Sequence, residues 1–173
     1  NNPSAPGTMI HREVNENRKH RITGISGDKG FSTISVRKYL MNREIGFGRK
    51  ILEMLEDEMI PYEHSPSGID DISIIVRSKY LNEQIEDRLI CRIRNELKAE
   101  EVSIIHHQAL VMIVGEKCVD DSHTLHLCSE ALSEENIVIK MLNQGSSKLS
   151  IMVGIDEIDF EKAIQCLYKK FFT

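Results

Sequence analysis

Ser67-Gly68-Ile69-Asp70-Asp71-Ile72-Ser73-Ile74-Ile75-Val76 lies over Gln144-Gly145-Ser146-Ser147-Lys148-Leu149-Ser150-Ile151-Met152-Val153 at a constant offset of 77 positions, the distance from Ser67 to Gln144. Both stretches leave a Gly-containing turn and enter an apolar strand. The same offset, without a gap, carries Ile34 onto Val111, Val36 onto Ile113, Ile51 onto Cys128, Leu55 onto Leu132 and Ile60 onto Ile137. Self-similarity at one fixed period sets the architecture before any single segment does, and here it predicts two copies of one small unit.

Outward from the quoted stretch, the first copy reads as an ordered series. Phe31 to Arg37 alternates, with Ile34 and Val36 on one face, as a half-buried strand does. Gly46 to Glu58 places Phe47, Ile51, Met54 and Leu55 at helical spacing. Ile60 to His64 and Ile72 to Val76 are strands joined by a turn carrying Pro66 and Gly68. Leu81, Ile85, Leu89, Ile93 and Leu97 recur every fourth residue and predict a second helix; Val102 to Ile105 is a last short strand. Strand, helix, strand, strand, helix, strand is the ferredoxin-like α+β arrangement, one antiparallel sheet with both helices on one face.

The second copy follows the same plan: strand Ala109 to Gly115, helix Asp121 to Leu132, strands Ile137 to Met141 and Leu149 to Val153, and helix Asp159 to Phe171, with Asp159 as its cap. It ends without a fourth strand. Arg21 to Ser26 has strand-like alternation and no place in the first copy's count. The spare strand is therefore expected to complete the second unit, since a bare sheet edge is normally paired or covered. The units would be interleaved, residues 31–107 forming the first and residues 21–30 with 108–173 the second. Cutting between Gln108 and Ala109 is then expected not to yield two independently folded halves. Asn1 to Thr8 is turn-rich and His11 to His20 lacks apolar periodicity, so residues 1–20 read as the end of an upstream domain and a linker.

With 173 residues, 40% hydrophobic and 28% charged, two compact cores are affordable and disorder is excluded. No Trp and 5% aromatics leave the cores to aliphatic side chains. A net charge of −5, with acids and bases interspersed, opposes a nucleic-acid or anionic-membrane partner. The chain has four widely spaced Cys, no CxxC pair, no secretory segment and no apolar run of the roughly 18 residues a membrane span needs, so a cytoplasmic setting is expected.

Chemistry concentrates at the start of the first helix. Gly46 and Gly48 allow a ligand close to the backbone there, and the unpaired N–H groups of a first helical turn suit a carboxylate; the second copy has no glycine at the matching place. The same glycines also serve a tight turn. Opposite lies an acidic set, Glu63, Asp70 and Asp71, able to accept from an ammonium group or simply to be solvated. Carboxylate receptor plus ammonium receptor is what a free amino acid requires. His106 and His107, adjacent on a strand, point to opposite faces, and His123 and His126 lack further ligands, so no metal site is expected. No catalytic motif is present.

These residues resemble the C-terminal regulatory region of aspartokinases, a pair of ACT domains. Asn1-Asn2-Pro3-Ser4-Ala5-Pro6-Gly7-Thr8 looks like the end of that family's kinase domain. Arg21-Ile22-Thr23-Gly24-Ile25-Ser26-Gly27-Asp28-Lys29 is similar to its V-T-G-I-x-x-D-K strand, and Met41 to Phe47 with Ser67 to Ser73 resembles its effector-binding segment. The resemblance covers the whole chain. It implies a non-catalytic, homodimeric sensor of an end-product amino acid, attached to a kinase that uses ATP and Mg to phosphorylate aspartate. Effector contacts would fall on Met41, Gly46, Phe47 and Gly48, and on Pro61, Tyr62, Glu63, Ser67 and Asp71 opposite. The turn from Ser67 to Asp71 is longer than in many members. Lysine is the first choice of effector, because the acids offer a place for its second ammonium; threonine, alone or with lysine, is the other candidate. An ACT-type dimerisation module without a ligand is the alternative reading.

Overall fold

The computed structural model describes residues 22–116, 118, 122–145 and 148–173. Residues 1–20 and the loop residues 119–121 lie outside them. Among the described residues the strands form one antiparallel sheet of six in the order β2-β3-β1-β4-β6-β5. They are β1 (Gly24–Arg37), β2 (Tyr62–His64), β3 (Asp71–Arg77), β4 (Glu101–Val114), β5 (Met141–Gln144) and β6 (Ser150–Asp156). The helices are α1 (Phe47–Asp57), α2 (Glu83–Leu97), α3 (Ser122–Glu134) and α4 (Phe160–Phe172).

Residues 24–26 of the strand expected over 21–26 and the strand expected over 31–37 belong to one continuous strand, β1, and 102–105 and 109–114 likewise to β4; Arg21 lies outside the described residues. β1 and β4 pair along their whole length, from Gly24 opposite Val114 to Arg37 opposite Glu101. Residues 24–29 of β1 lie beside 109–114 of β4 in the second half of the sheet; residues 31–37 lie beside 101–105 in the first. Between the halves each strand inserts one extra residue, at Gly30 (φ 83°) on β1 and around His107 (φ 56°) on β4. A bulge advances the sequence by one while the sheet advances none. The core-facing residues therefore change parity, from Ile34, Val36 and Val102 to Ala109, Val111 and Ile113, yet stay on one side. All four helices cover that side.

Each half has its own aliphatic core. Ile34, Val36, Ile72, Ile74 and Val76 meet Ile51, Met54 and Leu55 of α1 and Leu89, Ile93 and Leu97 of α2. Val111, Ile113, Ile151, Val153 and Ile155 meet Cys128 and Leu132 of α3 and Ala163, Leu167 and Phe171 of α4. Helix α4 also leans on β1. A Cβ at Gly27 would lie 2.6 Å from the Leu110 carbonyl oxygen and 2.8 Å from the Phe160 ring, so this glycine admits the helix.

The repeat is kept in a helix end and lost in a hairpin. After α1, Met59 (φ 57°) turns left-handed, its N–H donates to the Glu56 carbonyl at 2.8 Å, and Ile60 N–H donates to Leu55 at 2.9 Å. After α3, Asn136 (φ 56°) and Ile137 do the same to Ser133 (3.0 Å) and Leu132 (2.9 Å). This is the Schellman stop, and it drops Ile60 and Ile137 into the two cores. It also corrects two expected strands: Ile60 and Pro61 precede β2, and the strand expected over 137–141 begins only at Met141. His64 pairs with Ile75, but Met141, its repeat mate, pairs with Gly154, two residues beyond Ile75's mate Met152. A slip of two keeps every side chain on its face, so the core pattern tolerates it. Helix α2 is capped by Asn82, whose Oδ1 accepts from Ile85 N–H at 3.0 Å. Asp159 occupies the cap position of α4 without making that bond.

Candidate functional site

The first helix starts without a cap. Gly46 (φ 78°) at its N-cap has no side chain to offer, and no acid stands in the first turn. Four buried side chains, Phe47, Ile51, Met54 and Leu55, hold the helix instead. At roughly 1.5–3 kcal/mol each they outweigh a cap bond of about 1 kcal/mol. Phe47 N–H donates back to the Glu44 carbonyl at 3.4 Å, which leaves the N–H groups of Gly48 and Arg49 facing the loop with no acceptor inside the helix. Gly48 sits against the sheet, where a Cβ would be 3.8 Å from Ile72. Met41 and Phe47 are buried and anchor the loop.

The β1–α1 loop is fastened to the β2–β3 turn. Lys38 N–H donates to the Asp70 carbonyl at 2.8 Å, Leu40 N–H to the Asp70 Oδ1 at 2.8 Å and Asn42 N–H to the Ile69 carbonyl at 3.1 Å. Asp70, expected to receive a ligand ammonium, is therefore a staple between the two loops. Gly68 N–H donates to the Asp71 carbonyl at 2.8 Å, and a Cβ at Gly68 would overlap the Asp71 carboxylate. Ser67, Gly68 and Asp71 open onto the helix-free face, where they line a groove of about 480 Å³ with Thr33, Ser35 and Ser73.

The expected set does not converge in one chain. Tyr62 stands opposite Val76 and Ser67 opposite Ile72, four residues further along β3, about 13 Å at 3.3 Å per residue. Pro61 and Tyr62 are exposed at the sheet edge. Glu63 is already engaged: its Oε1 accepts from Arg77 Nε at 3.0 Å. Arg77 also donates to Asp28 at 2.6 Å and lies 4.3 Å from the Phe31 ring centroid, on the helix-free face. The Arg77 bond, then the Lys29 N–H, lowers the Asp28 carboxyl below its ordinary range, and Asp28 and Glu63 raise the guanidinium in return. Across the bulge, Lys29 pairs with Glu161 of α4 at 2.7 Å.

The sequence model of the ACT domain family matches residues 111–171. Aspartokinase 3 of Bacillus subtilis is 46% identical over 173 residues, covering 100% of this chain and 38% of that protein. The crystal structure of Clostridium acetobutylicum aspartate kinase superposes with a TM-score of 0.84 at 37% identity, over 93% of this chain and 36% of that one. The chain belongs to the aspartokinase family, as its regulatory ACT region. It spans well under half the length of either relative. E. coli aspartokinase III in complex with lysine and aspartate shares the ACT fold, with a TM-score of 0.72 at 15% identity over 92% of this chain and 35% of that one.

Within this ACT pair, sequence reasoning passed over Lys38 and Glu44. The Lys38 ammonium contacts the Glu44 carboxylate, donates to the Leu97 carbonyl at the end of α2 at 2.7 Å, and lies 5.7 Å from the Phe47 ring centroid. The available signal was position, an acid two residues before Gly46 in a loop already suspected. The histidines are arranged differently from the expectation of opposite faces. At the bulge, His106 bonds Ser32 Oγ at 2.9 Å and approaches Glu86 at 3.3 Å, while His107 turns toward Glu157. Among the described residues no group of three or more His, Cys, Asp or Glu could hold a metal ion, and no helix is long and apolar enough to cross a membrane.

Proposed function

We propose that this ACT pair senses an end-product amino acid, lysine first and threonine second, and relays its binding as feedback inhibition to a kinase domain that phosphorylates aspartate with ATP and Mg. The observation that carries this reading is the uncapped glycine start of α1, fastened beside the β2–β3 turn. It offers backbone N–H groups to a carboxylate, with the acid Glu44 in the same loop to attract an ammonium. Lysine is bound in the E. coli relative of the same fold. The setting proposed is cytoplasmic, with the first unit at 31–107, the second at 21–30 plus 108–173, and residues 1–20 as the junction to the kinase domain.

The working form is a homodimer. Among the described residues the outer strands, β2 and β5, have no partner on their outer edges and expose Tyr62 and Leu142, and such edges pair readily. The step of about 13 Å along β3 between the partners of Ser67 and Tyr62 is longer than an extended lysine, so one chain cannot bring both sets to one ligand. A second copy laid along β2 can. A ligand that favours one pairing shifts the dimer and restrains the attached kinase domain. The same free edges would serve a dimerisation module with no ligand. Calorimetric titration of the folded dimer separates the readings: saturable heat with lysine or threonine is expected, and its absence with both supports the ligand-free module.

A further inference from the structure

Resting on that receptor reading, we propose that Glu44 receives the side-chain ammonium of the effector, and that Lys38 occupies Glu44 until the effector displaces it. Lys38 is nearly enclosed, with 17% of its side chain exposed. Its ammonium meets the Glu44 carboxylate, the Leu97 carbonyl and the face of Phe47. A charged acceptor, a neutral acceptor and an aromatic face form a seat for a primary ammonium, which carries three donors. The occupant is itself a lysine side chain.

The other acids are committed elsewhere. Asp70 binds the Leu40 N–H, Glu63 is held by Arg77, and Asp71 opens to the helix-free face. Glu44 is the acid beside Phe47, the first residue of α1, and 38% of its side chain is reachable from solvent. An amino acid with its carboxylate on the N–H groups of Gly48 and Arg49 would direct its side chain along this loop. Exchanging one ammonium for another leaves the charge at Glu44 unchanged, so desolvation is not paid twice. The displaced Lys38 leaves the Leu97 carbonyl without the ammonium it held, and the end of α2 with Arg94 alone in its last turn. Helix α2 runs directly into β4, the strand shared with the second unit. The exchange therefore reports occupancy to the sheet.

The test is titration of the full chain with L-lysine, with L-norleucine, which has the same carbon skeleton and no side-chain ammonium, and with L-threonine. Lys38→Met, which keeps the stem and removes the competitor, should tighten lysine binding about tenfold and leave norleucine within about twofold. In the Lys38→Met background, where Glu44 has no resident ammonium to lose, Glu44→Gln should weaken lysine about tenfold with norleucine again unmoved. Lysine binding that is weaker or unchanged in folded Lys38→Met, or unchanged by Glu44→Gln in that background, overturns the exchange while leaving the receptor reading intact. Wild-type binding of threonine alone does the same. Wild-type protein that binds none of the three overturns both. Should thermal unfolding show Lys38→Met to be misfolded, Lys38→Gln, whose amide can still donate to the Leu97 carbonyl, takes its place in both comparisons.

Discussion

His64 on β2 has its Nε2 buried without a hydrogen-bond partner among the described residues, and burial lowers its pKa below the ordinary 6.5. The sign of the consequence is fixed. Above about pH 6.5 the ring is neutral in both folded and unfolded chains; below it the unfolded chain takes up the proton first, so stability declines as pH falls toward the folded value. Urea midpoints at pH 7.5 and 5.5 should differ more in the wild type than in His64→Leu, and an equal drop in both would refute this. Burial acts on Cys128 too, raising its thiol to about 12, with nearby Cys166 adding a smaller push in the same direction. Such a thiol is structural, not nucleophilic. Lys38 and Arg77 make the complementary point: neither stands out in the sequence, yet each decides which acids near the site are free.

Helix ends and bulges are the elements where sequence and structure part. The offset of 77 placed Ile60 on Ile137 correctly, but periodicity extended each into a strand when both are the residue after a left-handed turn. Apolar alternation alone does not separate a strand from a Schellman stop followed by a buried residue. Met59 sits in that left-handed position with 82% of its surface exposed. Met59→Gly should therefore stabilise the protein by about 0.5–1 kcal/mol, since glycine adopts that conformation without a Cβ penalty. Denaturant unfolding checks it, and a loss of stability would show that the Met59 side chain matters to packing. The joined strands were hidden for a similar reason. Gly30 and the polar run His106-His107-Gln108 fall outside the strands that alternation predicts, while in the fold they are bulges inside β1 and β4. What did show in the sequence was the spare strand: residues 24–29 take the place beside 109–114 that the missing fourth strand left.

At the scale of the whole molecule, two repeats share one sheet through two long strands, and only the first presents glycines at its opening helix. The glycines could be found by comparing the copies with each other. The engagement of Glu63 by Arg77 and of Asp70 by Leu40 could not, because each joins residues distant in the chain. The second copy's matching loop includes residues 119–121, outside the described structure, so the contrast between the loops rests on sequence. The central claim is that an amino acid binds at the start of α1. Backbone amide NMR spectra recorded during a lysine titration test it most directly. The account predicts saturable shifts centred on residues 44–49 and 67–71, with α3 and α4 little changed. Shifts confined to the second unit, or none at millimolar lysine, would contradict it.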